Sequence, residues 1–241
     1  METNNLVRYL EQTGDKTIKD LIAALKLPTN NFSRLNLGID PLIKEFKRKI
    51  GTLGLLAVCE ALQHPRNNIR DLNLSCNALE SEDILELSEA LKNPNSKVEE
   101  LYLGNNQVTH LGIAGLHEAF QSPINKITHL DLESNKIGNL GAQYLAEALE
   151  FASLKVLNLA NNDISDEGAA EIARSLPNSA LKCLYLHFNK VGSGASEIFI
   201  STIQESSLDY LRIDNNRIPH RDQKIISSLC GIKGTKCLIF S

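Results

Sequence analysis

Apolar and polar positions alternate over short stretches that return along the whole chain. Leu72-Asn73-Leu74, Leu101-Tyr102-Leu103, Leu130-Asp131-Leu132, Leu157-Asn158-Leu159, Leu184-Tyr185-Leu186 and Leu211-Arg212-Ile213 are each followed three residues later by asparagine. Those asparagines are 77, 106, 135, 162, 189 and 216, giving steps of 29, 29, 27, 27 and 27. Period-two alternation predicts a short strand with both apolar side chains on one face. A single such strand cannot shield itself, so the units are expected to stack into one parallel sheet with a shared core. The asparagine amide is expected to satisfy backbone groups where the strand turns away.

A second spacing follows each asparagine. Ile84, Leu87 and Leu91, then Ile113, Leu116 and Phe120, then Ala142, Leu145 and Leu149, then Ala169, Ile172 and Leu176 all stand 7, 10 and 14 residues on. A three-then-four spacing is one face of an α-helix. Ser81, Thr109, Asn139, Ser165 and Ser193 stand where capping side chains belong, and Pro65, Pro94, Pro123 and Pro177 close several helices. The unit is strand, turn, helix, return. The predicted architecture is α/β: a right-handed solenoid of about eight strands, with a parallel sheet on the concave side and helices on the convex side.

The ends vary the pattern. Residues 1–31 are read as an N-terminal helical cap and 32–241 as the solenoid, with Phe32, Leu35 and Leu37 in the first strand. Asp40 stands where asparagine is expected, and residues 41–49 form a basic insertion. Insertions in solenoids map to loops and often to binding surfaces; here a longer amphipathic helix with a solvated basic face is preferred. At the other end Leu238 lies 27 after Leu211, which predicts an eighth strand with Leu238 turned to the core.

Units of 27 to 29 residues carrying L-x-x-L-x-L-x-x-N-x-(I/V/L) and a full helix resemble the ribonuclease-inhibitor class of leucine-rich repeats, which also builds the repeat region of NOD-like receptors. The resemblance spans nearly the whole chain and implies a horseshoe that binds protein. It is also similar to stand-alone leucine-rich repeat effector proteins of intracellular bacterial pathogens, which implies action on host proteins. The other implied role is a recognition or regulatory subunit, or a fragment, of a larger receptor or ubiquitin-ligase adaptor system.

Composition narrows the compartment and the partner. The 241 residues carry a net charge of −4 and 5% aromatics without tryptophan, which gives no electrostatic or stacking case for nucleic acid or a membrane surface. No basic-then-apolar leader is present at the N-terminus, and no run reaches a membrane span. Five scattered cysteines (59, 76, 183, 230 and 237) without a C-x-x-C pair are expected to be reduced thiols. A cytoplasmic monomer is expected, with delivery into a host cytosol if the effector resemblance holds.

No catalytic, cofactor or metal set is expected. The chain has no G-x-S-x-G, P-loop or H-E-x-x-H. His129 and His187 fall two strands apart, roughly 10 Å at about 4.8 Å per strand, too far to share a metal. The six histidines are expected to be ordinary surface or turn residues. The acidic stretch from Glu80 to Glu100 reads as a solvated helix face with favourable first-turn charges. What remains is the solvent side of the sheet. Its first half is acidic and its second half carries tyrosine and arginine, types enriched in interface hot spots. The candidate partner-binding residues are Glu100, Tyr102, His129, Asp131, Glu133, Asn158, Tyr185, His187, Tyr210 and Arg212.

Overall fold

The structure, a computed structural model, describes residues 33–38 and 50–239. The expectations for 1–31, Phe32, Asp40 and the 41–49 insertion lie outside these residues. Eight three-residue strands form one parallel sheet in chain order: β1 (Arg34–Asn36), β2 (Asp71–Asn73), β3 (Glu100–Tyr102), β4 (His129–Asp131), β5 (Val156–Asn158), β6 (Cys183–Tyr185), β7 (Tyr210–Arg212) and β8 (Lys236–Leu238). Seven α-helices lie between them among the described residues: α1 (Gly51–Gln63), α2 (Ser81–Leu91), α3 (His110–Phe120), α4 (Gly138–Leu149), α5 (Asp166–Ser175), α6 (Ser193–Thr202) and α7 (His220–Lys233). Packed helices need about 8–10 Å each and paired strands only about 4.8 Å. A stack that joins one of each per unit must therefore curve with the sheet inside.

The register puts the leucine motif into unbroken core columns. Leu35, Leu72, Leu101, Leu130, Leu157, Leu184 and Leu211 pair in turn across the sheet, and all are buried. Leu74, Leu103, Leu132, Leu159, Leu186 and Ile213 make a second buried column. The helices meet these columns with the predicted face: every residue at the 7, 10 and 14 positions named above is buried. The pattern continues into later units through Phe199, Ile203, Ile226 and Cys230. Helices approach closely where glycine faces the neighbour. A Cβ on Gly168 would stand 2.8 Å from the Asn139 Cα and 2.9 Å from the Ala142 Cβ.

The asparagines form a hydrogen-bonded column through the turns. The Asn135 amide donates to the carbonyls of Leu103 (3.0 Å) and Leu132 (3.0 Å), and its Oδ1 accepts from Val108 N–H (3.0 Å). Each asparagine thus ties its own turn to the turn of the preceding unit. Asn106 and Asn189 bind two such N–H groups each, those of Asn77 and Leu79 and those of Asn162 and Ile164.

Helix starts differ from the expected caps. Thr109 precedes α3 and accepts from Leu111 N–H, but Ser81, Asn139 and Ser193 are already within their helices. The caps cross between units instead. Asn139 in α4 accepts from Ser165 N–H (2.8 Å) at the start of α5. Asp166 in α5 accepts from the N–H groups of Gly192 (2.5 Å), Gly194 (3.3 Å) and Ala195 (3.2 Å) at the start of α6. A carboxylate there satisfies orphan donors and complements the helix dipole. Within the acidic stretch, Glu80 and Asp83 make a capping box on α2, while Glu89 and Glu99 pair with Lys92 and Arg70.

The eighth strand exists, but one residue out of the expected register. Cys237, not Leu238, pairs with Leu211, and Leu238 pairs with Arg212. Helix α7 ends on left-handed Gly234 (φ 84°), and Thr235 hooks its hydroxyl to the Leu208 carbonyl (2.8 Å). This connection brings Lys236 opposite Tyr210, 26 residues on. With a side-chain period of two, a one-residue slip exchanges the faces. Ile239 is therefore 2% exposed and Leu238 is 51% exposed. In urea unfolding, Leu238→Ser should stay within about 0.5 kcal/mol of wild type, whereas Ile239→Ser should cost ~2–4 kcal/mol. The opposite order would restore the 27-residue register.

Candidate functional site

Three rows of side chains stand on the sheet face opposite the helices. Pairing aligns Arg34, Asp71, Glu100, His129, Val156, Cys183, Tyr210 and Lys236 in the first row. The second row is Asn36, Asn73, Tyr102, Asp131, Asn158, Tyr185, Arg212 and Leu238. Parallel backbone bonds continue past the strands, from Ser134 N–H to the Ala160 carbonyl and from Asn161 N–H to the His187 carbonyl. They align Glu133, Ala160, His187 and Asp214 in a third row.

Part of the second row serves the scaffold. Asn36, Asn73, Asp131 and Asn158 each accept from the backbone N–H two residues on, at 3.1, 2.9, 2.9 and 3.1 Å. This bond closes the turn after the strand. Tyr102, Tyr185 and Arg212 occupy the same row and form no such turn bond. Of the candidate residues, Asp131 and Asn158 are thus partly committed to the fold, which the sequence spacing does not reveal.

The acidic half of the face is largely paired within itself. Asp71 bonds Arg34, and Glu100 accepts from the Tyr102 hydroxyl (2.7 Å). Burial, and then the hydrogen bond to Glu100, raise the Tyr102 phenol well above its ordinary pKa. Burial also raises Asp131, partly opposed by its bond from Glu133 N–H. Glu133 accepts from the Asn158 amide (3.1 Å). His129 lies against the Thr128 hydroxyl (2.9 Å).

The second half gathers the aromatic candidates. The rings of Tyr185 and Tyr210 lie 5.2 Å apart, and those of Tyr185 and His187 lie 6.3 Å apart. Arg212 Nε donates to Asp214 Oδ1 (2.9 Å). The structure therefore unites Tyr185, His187, Tyr210 and Arg212, and leaves Glu100, Tyr102 and His129 on strands nearer the N-terminus. His187 is not the surface residue expected. It is 6% exposed, and its Nδ1 is buried without a hydrogen-bond partner. Burial first, and then the charge of Arg212, lower its pKa.

The sequence reading passed over Phe188. It is 55% exposed and its ring lies 5.4 Å from the His187 ring. Its φ is +56°, in the left-handed region that bulky residues avoid. The matching turn position in the other units is Cys76, Asn105, Ser134, Asn161 and Asn215, all with positive φ. A phenylalanine in that small or polar column was the signal available in the sequence. Among the described residues no group of three or more His, Cys, Asp or Glu could hold a metal ion, and no helix is long and apolar enough to cross a membrane.

Comparison with known proteins recognises the same unit. The family model described as Leucine Rich repeat matches residues 124–146 and 152–173. No curated protein was found that matches the chain in sequence. Among solved structures, leiomodin-1 actin-binding site 2 is 20% identical, with 54% of this chain and 77% of that one covered and a TM-score of 0.45. An internalin from Listeria monocytogenes is 19% identical, with 88% and 46% covered and a TM-score of 0.46. The ectodomain of the Arabidopsis thaliana receptor kinase GASSHO1/SCHENGEN3, solved with Casparian strip integrity factor 2, is 18% identical, with 86% and 26% covered and a TM-score of 0.42. The chain thus spans less than half of the internalin and receptor chains. The chain carries leucine-rich repeats: the family model finds two of them, and the strand register extends the same unit along an eight-stranded solenoid.

Proposed function

We propose that this chain is a non-enzymatic protein-binding module that docks a folded partner on its concave sheet. Tyr185 and Tyr210 serve as anchors beside Arg212, while Glu100, Asp131 and Glu133 steer a basic patch on the partner. The observation that carries this reading is the Tyr185–Tyr210 pair, its tilted rings 5.2 Å apart on the sheet, with Tyr185 in a row position where other units use the side chain to close a turn. His129, Asn158, His187 and Tyr102 complete the proposed contact face. The resemblance to stand-alone bacterial repeat proteins supports a role as an effector, a cytoplasmic monomer delivered to a host cytosol.

A second reading is the recognition part of a larger receptor or ubiquitin-ligase adaptor. The exposed Ile232 (75%) on helix α7 and Leu238 (51%) on strand β8 favour it, because each is a large apolar side chain left uncovered in the last unit. Affinity capture separates the two. With Tyr102, Tyr185 and Tyr210 all changed to Ala, a partner held by wild type should be lost while the melting curve is kept. Retention by that variant, with loss on changing Ile232 and Leu238 to Asp, would favour the second reading.

A further inference from the structure

Resting on the concave-face reading, we infer that Tyr185, His187, Phe188 and Tyr210, with Glu133, form a receptor for one cationic side chain, a lysine or arginine of the docked partner. Four observations converge on the sixth unit.

Phe188 holds a left-handed turn position at φ +56° with more than half its surface in water. The scaffold gains little from an exposed ring there, since asparagine or serine serves the same turn in four other units. His187 beside it is more than nine-tenths buried. Its Nδ1 is the one buried side-chain nitrogen or oxygen among the described residues that lacks a hydrogen-bond partner. In the tautomer protonated on Nε2, Nδ1 is the one acceptor of the ring, and a buried acceptor without a donor is a cost that a ligand N–H would remove.

Aromatic faces and charge choose the ligand class. Tyr185 lies between the other rings, 5.2 Å from Tyr210 and 6.3 Å from His187. Ring faces attract cations, and more strongly where water is excluded. The local cation is already used, because Arg212 is bonded to Asp214. Glu133 makes no ion pair among the described residues and accepts only the neutral Asn158 amide. It stands two strands from His187 in the third row, about 10 Å away across Ala160, so its charge acts on the cluster at a distance rather than by contact. The cluster therefore has ring faces and an unused acceptor, with an unmatched carboxylate at that distance. An anion would be repelled by the unmatched Glu133, since the charge of Arg212 is balanced by Asp214. An apolar group would leave both Nδ1 and Glu133 as they are. A lysine or arginine head group can donate to Nδ1 with its aliphatic stem along the rings, and the negative charge of Glu133 favours it from a distance. The Phe188 ring, 5.4 Å from the imidazole and more than half exposed, is the side of the cluster open to the head group.

The test uses the full chain labelled with 15N and follows the His187 ring nitrogens by NMR. The probes are Nα-acetyl-lysinamide and its uncharged counterpart Nα-acetyl-norleucinamide. The lysine probe should shift both His187 ring nitrogens and the Tyr185 and Tyr210 signals, and the norleucine probe should not. Phe188→Asn, which places at this turn the residue found at 161 and 215, should raise the dissociation constant about tenfold, as should Glu133→Gln. An equal response to norleucinamide, or unchanged affinity in both variants, would overturn the inference. If His187 ignores lysine while the triple tyrosine variant still loses its partner, this inference fails and the concave-face reading stands. If His187 responds but the triple variant keeps its partner, the docking reading fails and the cation receptor stands.

Discussion

Replacing Asn189 by Ala should cost ~3–5 kcal/mol in urea unfolding, more than the same change at Asn135. The difference lies in which backbone groups lose their only partner. Asn189 Oδ1 accepts from the N–H groups of both Asn162 and Ile164, each at 3.0 Å. Asn135 Oδ1 accepts from Val108 alone. The carbonyls served by Asn135 are shared and would not be orphaned. The Leu132 carbonyl, for example, also accepts from Asn162 (2.8 Å). The buried Leu159 carbonyl, by contrast, accepts from Asn189 (2.9 Å) and would be stranded with the two N–H groups. The loss therefore scales with the stranded backbone groups, at roughly 1–3 kcal/mol each for those left buried. Asn135→Ala should fall near ~2–3 kcal/mol on the same scale. Aspartate at 189 keeps both acceptor contacts and gives up only the amide donation, so it should recover part of the stability. Equal costs at 135 and 189 would contradict this account of the column.

Phe199→Ala should be comparably severe, at ~3–5 kcal/mol, the range for a large aromatic removed from a core. Phe199 is fully buried and stands ten residues after its asparagine. Leu87, Leu116, Leu145, Ile172 and Ile226 fill that position in other units. The three-residue-earlier position on the same face is only Ser196 here, so Phe199 supplies volume that its neighbour lacks. Leucine restores the column's usual residue and should cost ~1–1.5 kcal/mol. Calorimetric melting of both variants checks the contrast; a leucine variant as damaged as the alanine one would mean that ring shape, rather than volume, matters at this place.

The parts of the fold that repeat were legible in the sequence, because one error at one unit is outvoted by the others. The strand positions and the asparagine column are read from a pattern that occurs six times, and the 7, 10 and 14 helix face from one that occurs four times. Where a feature occurs once, the pattern gives no vote. Leu238 looked like a core leucine because 27 had been the step since Asn135. One left-handed glycine after a longer helix shortened the return and put Ile239 in its place. Of the cap residues read from the sequence, Thr109 serves its own helix and Asn139 acts across to the next unit; Asp166, which also acts across, was not among them.

The candidate site was legible only as a face. Strand alternation told which residues look away from the core, and Tyr185, His187, Tyr210 and Arg212 do come together. It could not tell Asp131 and Asn158, tied to their own turns, from Tyr185, which is not. Nor could it show that His187 sinks beneath its neighbours while Phe188 stands in water. Both outcomes depend on how rings of adjacent strands lean on one another, and a linear pattern does not carry that.

The side chains that cross from one unit to the next give the stack a polarity. Asn139 and Asp166 complete the helix that follows them, whereas Asn162 and Asn189 complete the turn that precedes them. A break at any junction strips the upstream segment of amide partners at its loop and the downstream segment of acceptors at its helix start. The two halves of a cut molecule are damaged differently, and a single unit lifted out of the row is damaged in both ways. Pulling on the two termini should therefore peel the molecule in unequal steps, its course set by which end yields first.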